Sequence, residues 1–239
     1  RETAPVFRKP TIDQLSEFIE PTWRALCDGA RYVDDRLREI FDELRPDAIV
    51  EDNVLCFPAI HHSGRPWARV VSCNPLELED EAIAPVFSGY PADDTSGWAA
   101  FREAYARAIG ELHVEFSDFC SDRGAPQLPA AEFIHESEWL NLYVYPEEVD
   151  YARRRPLAPT WHRLETCVRR SDETAELPEH IASGDGSLVY LSLGSLGSAD
   201  VDLMKRLVDV LSRSRHRIVV SKGPQHTEFP LAENMWGAE

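Results

Sequence analysis

The sequence has no uninterrupted run of about 20 apolar residues, which argues against a helical membrane span. Its opening stretch, RETAPVFRKP, has no apolar segment of the kind a secretory signal needs. Basic residues are scarce beside acidic ones: 25 Lys and Arg against 42 Asp and Glu leave a net charge of −17. Such a surface repels phosphate backbones, so no nucleic-acid partner is expected. Any phosphate site must then be built from local backbone dipoles. Cysteine is sparse and odd in number, with Cys27, Cys56, Cys73, Cys120 and Cys167 scattered at spacings that match no metal-ligand pattern and no disulfide framework. They read as free thiols of a reducing, cytoplasmic compartment.

The 239 residues, 43% of them hydrophobic and 28% charged, are ordinary for one large globular domain or two small ones. The chain starts at Arg1 rather than Met and stops at ENMWGAE, which predicts an internal segment of a longer protein.

Thr11 to Gln14 has the pattern of a capping box opening a helix, and Pro21 breaks or restarts it. Leu26, Val33, Leu37, Ile40, Phe41 and Leu44 then keep a helical period up to Pro46. The β-branched run Ala48 to Val50 ends in Glu51, Asp52 and Asn53. A short helix is expected over Leu55 to His62, and "GRPWARVVS" reads as a turn and a buried strand. Leu76 to Thr95 is acidic and proline-dotted, hence loop, with Glu77 to Glu81 and Asp93–Asp94 as solvated charges. Trp98, Phe101, Tyr105, Ile109, Leu112, Phe116 and Phe119 mark a long core helix. "WLNLYVYP" alternates as a strand does, and "RLETCVR" has the look of one more strand. His61 and His62 are adjacent on a helix, point to different faces and make poor co-ligands. His113 and His135 have no evident partners.

The polar stretch Arg170 to Gly186 marks a linker between residues 1–169 and residues 187–239. After it come a strand at Leu188 to Leu193, a helix over about Asp200 to Arg213 and a strand at Ile218 to Ser221, which together make one βαβ unit. Helices alternating with short buried strands give an α/β fold with parallel sheets. In such sheets ligands bind beyond the carboxyl ends of strands. Two such ends carry candidate chemistry, at Asp52 and at Gly194.

The stretch SLVYLSLGSLGSADVDLM, Ser187 to Met204, turns from strand to helix through a Ser/Gly ladder. Unpaired N–H groups at a helix start, the helix dipole and glycine's lack of a Cβ together make a cradle for phosphate. The ladder lacks the Lys of a P-loop and the G-x-G-x-x-G of a dinucleotide site. A plain strand–helix turn with Ser198 as N-cap stands beside the phosphate reading. Asp200 and Asp202 suit the helix dipole and are expected to point away from any phosphate.

"LVYLSLGS" resembles the first strand and loop of the donor-binding domain of GT-B-fold UDP-glycosyltransferases of family 1, with Leu193 where an aromatic is usual. "RIVVSKG" resembles the second strand of that domain and "NMWGAE" the approach to the third. "LRPDAIVEDNVLCFPA" and "GRPWARVVSCNP" resemble strands of the acceptor domain. The resemblance implies two Rossmann-like domains, both incomplete here. It implies that Gly194 and Ser195 meet the diphosphate of a UDP-sugar co-substrate and that Ser221 and Gly223 line the nucleotide cleft. It implies that Asp52 orients a histidine base lying upstream of this segment. The reaction so implied is inverting transfer of a sugar to a hydroxyl of a small, lipophilic acceptor, with no bound metal. Two alternatives stay open: a Rossmann-type oxidoreductase using the Gly194 loop, and a non-catalytic binding module of the same fold.

Overall fold

The computed structural model describes residues 5–164 and 176–238. They fall into two compact units, one holding residues 9–164 and the other residues 5–8 and 176–238. Each is an α/β structure with a wholly parallel sheet, the fold class read from the sequence.

The first unit opens with helix α1 (Thr11–Gln14), a π-helical turn (Leu15–Ile19) and helix α2 (Glu20–Leu44). The expected capping box does not form. The Thr11 hydroxyl donates instead to the Ser88 carbonyl at 2.6 Å, and the Gln14 amide donates to the Lys9 carbonyl at 2.9 Å. Pro21 sits in the first turn of α2, directly after the π-helical turn, and the helical run continues through it. Arg45 ends the helix in the left-handed conformation, φ 48°, just before Pro46. The buried face of α2 is Cys27, Ala30 and Asp34, while Leu26 and Leu44 of the expected apolar stripe are exposed. A polar anchor sets this rotation. The buried Asp34 carboxylate accepts from the Ala59 N–H at 2.8 Å, from Arg38 at 2.9 Å and from Arg123 at 2.7 Å. Both oxygens of the buried carboxylate are thus hydrogen-bonded.

Strands β1 (Ile49–Glu51), β2 (Trp67–Val71), β3 (Leu140–Tyr143) and β4 (Trp161–Arg163) lie in that order in the sheet. Helix α3 (Pro58–Ser63) joins β1 to β2, and α4 (Trp98–Asp122) lies between β2 and β3. The α4 stripe is core as expected: Trp98, Phe101, Tyr105, Ile109, Leu112 and Phe116 are all buried and Phe119 packs against them. In β3 the alternation is present but the polar face is the inner one. Asn141 and Tyr143 are buried and Leu140 and Leu142 only half so. Asn141 can face inward because its carbonyl accepts from Ser137 N–H (2.8 Å) and its amide donates to the Ser137 carbonyl (2.7 Å) and to Thr160 (3.2 Å). Of the "RLETCVR" strand expectation, Arg163 ends β4, and residues 165–169 lie outside the described ones.

In the second unit the segment expected to be linker contains a helical turn, α5 (Glu179–Ala182), whose Ile181 is fully buried. The Arg217 guanidinium donates to the carbonyls of Ile181 and Ala182, at 2.9 and 2.8 Å, and fixes the turn. Residues 170–175 lie outside the described ones. Strands β5 (Leu188–Leu191), β6 (Arg217–Ser221) and β7 (Met235–Ala238) form the sheet in that order. A single helical turn, α6 (Gly194–Gly197), and helix α7 (Val201–Ser212) connect β5 to β6. Met204, Ile218, Val220, Phe229 and Met235 make the core of this unit. Among the described residues no helix is long and apolar enough to cross a membrane.

Candidate functional site

In the first unit the carboxyl ends of β1 and β2 are brought side by side by their parallel register, Glu51 opposite Arg69. Asp52 follows directly on β1. Its exposed carboxylate accepts a hydrogen bond from the Ser72 hydroxyl at 2.6 Å, across the strand ends. It does not cap α3, which starts at Pro58 with no side-chain cap. The cleft around Asp52 is also walled by Val54, Cys73 and Glu77. The same three residues wall a second, mainly apolar cavity of about 280 Å³ that runs under Trp23, Phe87 and Phe133. That cavity therefore opens beside Asp52. Trp23 stacks on Phe133 with ring centroids 4.5 Å apart, which gives the cavity a rigid aromatic wall.

The acidic run Glu77 to Glu81 is not simply solvated, contrary to the reading from sequence. Leu78 is buried beneath the loop and Glu77 is half-buried. Burial raises the Glu77 carboxyl above its ordinary range, and the same cause raises Glu132 on the facing loop. Asp80 shifts the other way, lowered to about 2 because it accepts from the N–H groups of Ala82, Arg155 and Arg154. Asp93 and Asp94 are exposed as expected. Arg69 lies between the apolar cavity and a charged one of about 480 Å³, and is buried apart from those openings. Its guanidinium carbon lies 5.8 Å from the Trp161 ring centre, a cation–π contact. Across the sheet from it, Glu51 is buried and burial raises its carboxyl to about 8, only partly opposed by Arg69. The sequence reading passed over Arg69 and Glu51. The signal was present: a charged residue inside an apolar strand is rarely buried without a role.

In the second unit the candidate residues Gly194, Ser195, Ser221 and Gly223 lie at the carboxyl ends of β5 and β6. Gly194 adopts φ +65°, a conformation that suits glycine, and donates its N–H to the Ser192 hydroxyl at 3.4 Å. Gly223 adopts φ +68° and packs so closely that a Cβ there would fall 2.5 Å from the Ser198 Cβ. The loop after β6 thus lies against the Ser/Gly turn. Ser195 is exposed and Ser221 half-buried. Ser198 is buried and is not the helix cap. That role falls to Asp200, whose carboxylate accepts from the Leu203 N–H at 3.1 Å and from Arg8 at 2.6 Å. Asp200 is depressed below its ordinary value by the Arg8 hydrogen bond first and the helix N–H next. The ladder also does not pass straight into a long helix, because α6 intervenes.

The structure supplies partners for histidines that the sequence left without any. His113 Nε2 lies 2.8 Å from the Pro129 carbonyl, and His135 Nε2 lies 3.2 Å from the Gln127 carbonyl. His61 and His62 do face different ways. His61 turns inward, its ring centre 4.8 Å from that of His135 and 5.3 Å from Trp67, while His62 is exposed. Burial, with the neighbouring His135 adding to it, lowers His61 to about 4. Cys56 joins the same group: its thiol and the two imidazoles offer ligand atoms all within 4.8 Å of one another. No local spacing announced this cluster, since His135 comes from a distant loop.

No protein-family profile matches the sequence, and no curated protein matches it. Among solved structures, the chain aligns over 95% of its length with the glycotransferase of kitacinnamycin, at a TM-score of 0.57 and 16% identity, covering 54% of that chain. It also aligns with the glycosyltransferase SnogD from Streptomyces nogalater (TM-score 0.49, 15% identity, 91% of this chain and 51% of that one). A third match is the spinosyn rhamnosyltransferase SpnG complexed with thymidine diphosphate (TM-score 0.48, 15% identity, 95% and 54%). The first of these likenesses defines the class of structure: this is the α/β fold of GT-B glycosyltransferases. The chain spans about half the length of the solved structures it matches.

Proposed function

We propose that this chain forms part of an inverting glycosyltransferase that moves a sugar from a UDP-sugar to a hydroxyl of a small, lipophilic acceptor. The observation that carries the reading is the apolar cavity of about 280 Å³ that shares Val54, Cys73 and Glu77 with the Asp52 cleft. An apolar acceptor in that cavity presents its hydroxyl at the carboxyl end of a parallel sheet, where α/β enzymes place their chemistry. Asp52 already serves as a hydrogen-bond acceptor there, from Ser72. In the proposed role it accepts the N–H of a histidine, fixes the tautomer and stabilises the imidazolium as the acceptor proton leaves. Among the described residues lining the cleft there is no histidine. The acceptor oxygen then attacks the anomeric carbon and the nucleoside diphosphate departs.

In the second unit, the Ser195 hydroxyl and the backbone beside Gly194 are proposed to hold the diphosphate, with Ser221 and Gly223 along the nucleotide. The fold likeness supports this reading, and so does the position of these residues at the ends of adjacent parallel strands. The test uses the enzyme that contains this chain. Asp52→Ala is expected to lower turnover about 100-fold or more while substrate binding persists, and Ser195→Ala to weaken UDP binding by about 1 kcal/mol in calorimetry. Unchanged turnover in the first variant removes Asp52 from the mechanism. UDP affinity no better than that for NAD removes the transferase reading.

A further inference from the structure

The Cys56–His61–His135 cluster has no part in the transfer proposed above, and it gathers three ligand-type side chains in one place. Three features converge. The thiol and both imidazoles offer ligand atoms within 4.8 Å of one another, and the Cys56 thiol also meets the thiol of Cys120. Cys56 is 1% exposed and His135 9%, so the group is enclosed by protein. His135 Nε2 is engaged with the Gln127 carbonyl, which requires the proton on Nε2 and leaves Nδ1 as a bare lone pair. That Nδ1 is buried and has no hydrogen-bond partner.

A buried acceptor without a donor costs free energy unless something fills the need. A metal-bound histidine characteristically donates its second ring nitrogen to a carbonyl, as His135 does. The backbone holds the pieces in place. Cys56 N–H donates to the Phe133 carbonyl at 2.6 Å, tying the segment that leads into α3 to the loop that carries His135. Trp67 at the start of β2 braces the His61 ring edge-on.

We propose that Cys56, His61 and His135 form a site for a zinc-class divalent cation that ties the loop before β3 to the start of α3. One thiolate and two neutral imidazoles are the soft-to-borderline donor set that zinc prefers, and a water completes the tetrahedron. Bonds of about 2.0–2.3 Å at tetrahedral angles place ligand atoms roughly 3.3–3.7 Å apart. Closure from the present geometry therefore needs movements of about 1 Å, within reach of small side-chain rotations. On binding, the Cys56 thiol gives its proton to solvent and the sulfur lone pair forms the metal bond. The site stands independently of the transferase reading.

The test is titration of the purified, reduced and chelator-treated chain with Co²⁺, followed by absorbance. The expected result is a thiolate-to-cobalt charge-transfer band and d–d bands of tetrahedral strength that saturate at one ion per chain and are displaced by Zn²⁺. Cys56→Ser should abolish the charge-transfer band. His135→Gln should weaken binding more than the ten- to hundred-fold that loss of an outer-shell partner costs, roughly 100-fold or more. The exposed Cys73 and His62 serve as controls, and Cys73→Ser and His62→Gln should bind as the parent does. In parallel, Zn²⁺ should raise the thermal midpoint of the parent and leave that of Cys56→Ser unmoved. Circular dichroism of each apo variant establishes that it is folded, and His61→Gln replaces any that is not. Absence of the charge-transfer band in the parent overturns the proposal. So does a band that survives Cys56→Ser or disappears in Cys73→Ser.

Discussion

Single residues in this chain are decided by what burial does to their charge. Glu51 is the clearest case. Its Oε1 has no hydrogen-bond partner, and neither has Nε of Arg69 across the strand pair, so the two do not fully satisfy each other. Desolvation raises the Glu51 carboxyl from 4.5 to about 8. Between those values the folded chain keeps a proton that the unfolded chain has lost. Stability contributed by the protonated form is complete below the unfolded value and is lost as pH rises toward the folded one. The slope approaches one proton, about 1.4 kcal/mol per pH unit at most. Glu51→Gln keeps the shape and removes the titration. Urea melts of parent and variant at pH 5 to 8 should show the variant gaining stability over the parent as pH rises. Parallel curves would mean the carboxylate is ionised in the folded protein and paired better than its geometry indicates.

At the scale of elements, α4 was readable in advance because its stripe obeys one local rule. Seven apolar residues recur at helical spacing, and the helix buries that face whatever else it meets. Phe116, wholly buried, should cost about 3–5 kcal/mol as Phe116→Ala. Val114, two positions away on the exposed side, should change stability by no more than about 0.5 kcal/mol as Val114→Ala. Chemical denaturation of the two variants checks the pair, and equal losses would place the wrong face inward. Helix α2 and strand β3 were legible as elements but not in orientation. Asp34 turns α2 through its bonds to Ala59, Arg38 and Arg123. Asn141 turns β3 through Ser137 and Thr160. Apart from Arg38, these partners lie outside the element they orient, so a pattern read along that element has no access to them. The Thr11 box failed for the same reason, because Ser88 offered its hydroxyl a better acceptor.

For the molecule as a whole, the strand ends that carry Asp52 and Gly194 were legible because parallel sheets concentrate ligand chemistry at their carboxyl edges. The apolar cavity and the Cys56–His61–His135 cluster were not, since both are assembled from segments that only folding brings together. The charge of −17 was legible from the start and makes a distinction that no single contact makes. A diphosphate held by Lys and Arg loses affinity as salt screens the attraction. A diphosphate held by backbone N–H groups and a serine hydroxyl, on a protein that repels it at long range, does not. Raising ionic strength from about 0.01 to 0.1 M shortens the screening length from roughly 30 to 10 Å, which removes repulsion from distant carboxylates and leaves short hydrogen bonds intact. UDP affinity of the enzyme containing this chain, measured by calorimetry at the two salt concentrations, should therefore hold steady or rise. A marked fall would show that basic side chains hold the phosphates, with Lys222 beside Gly223 the first to replace, and the serine–glycine turn would lose its proposed role.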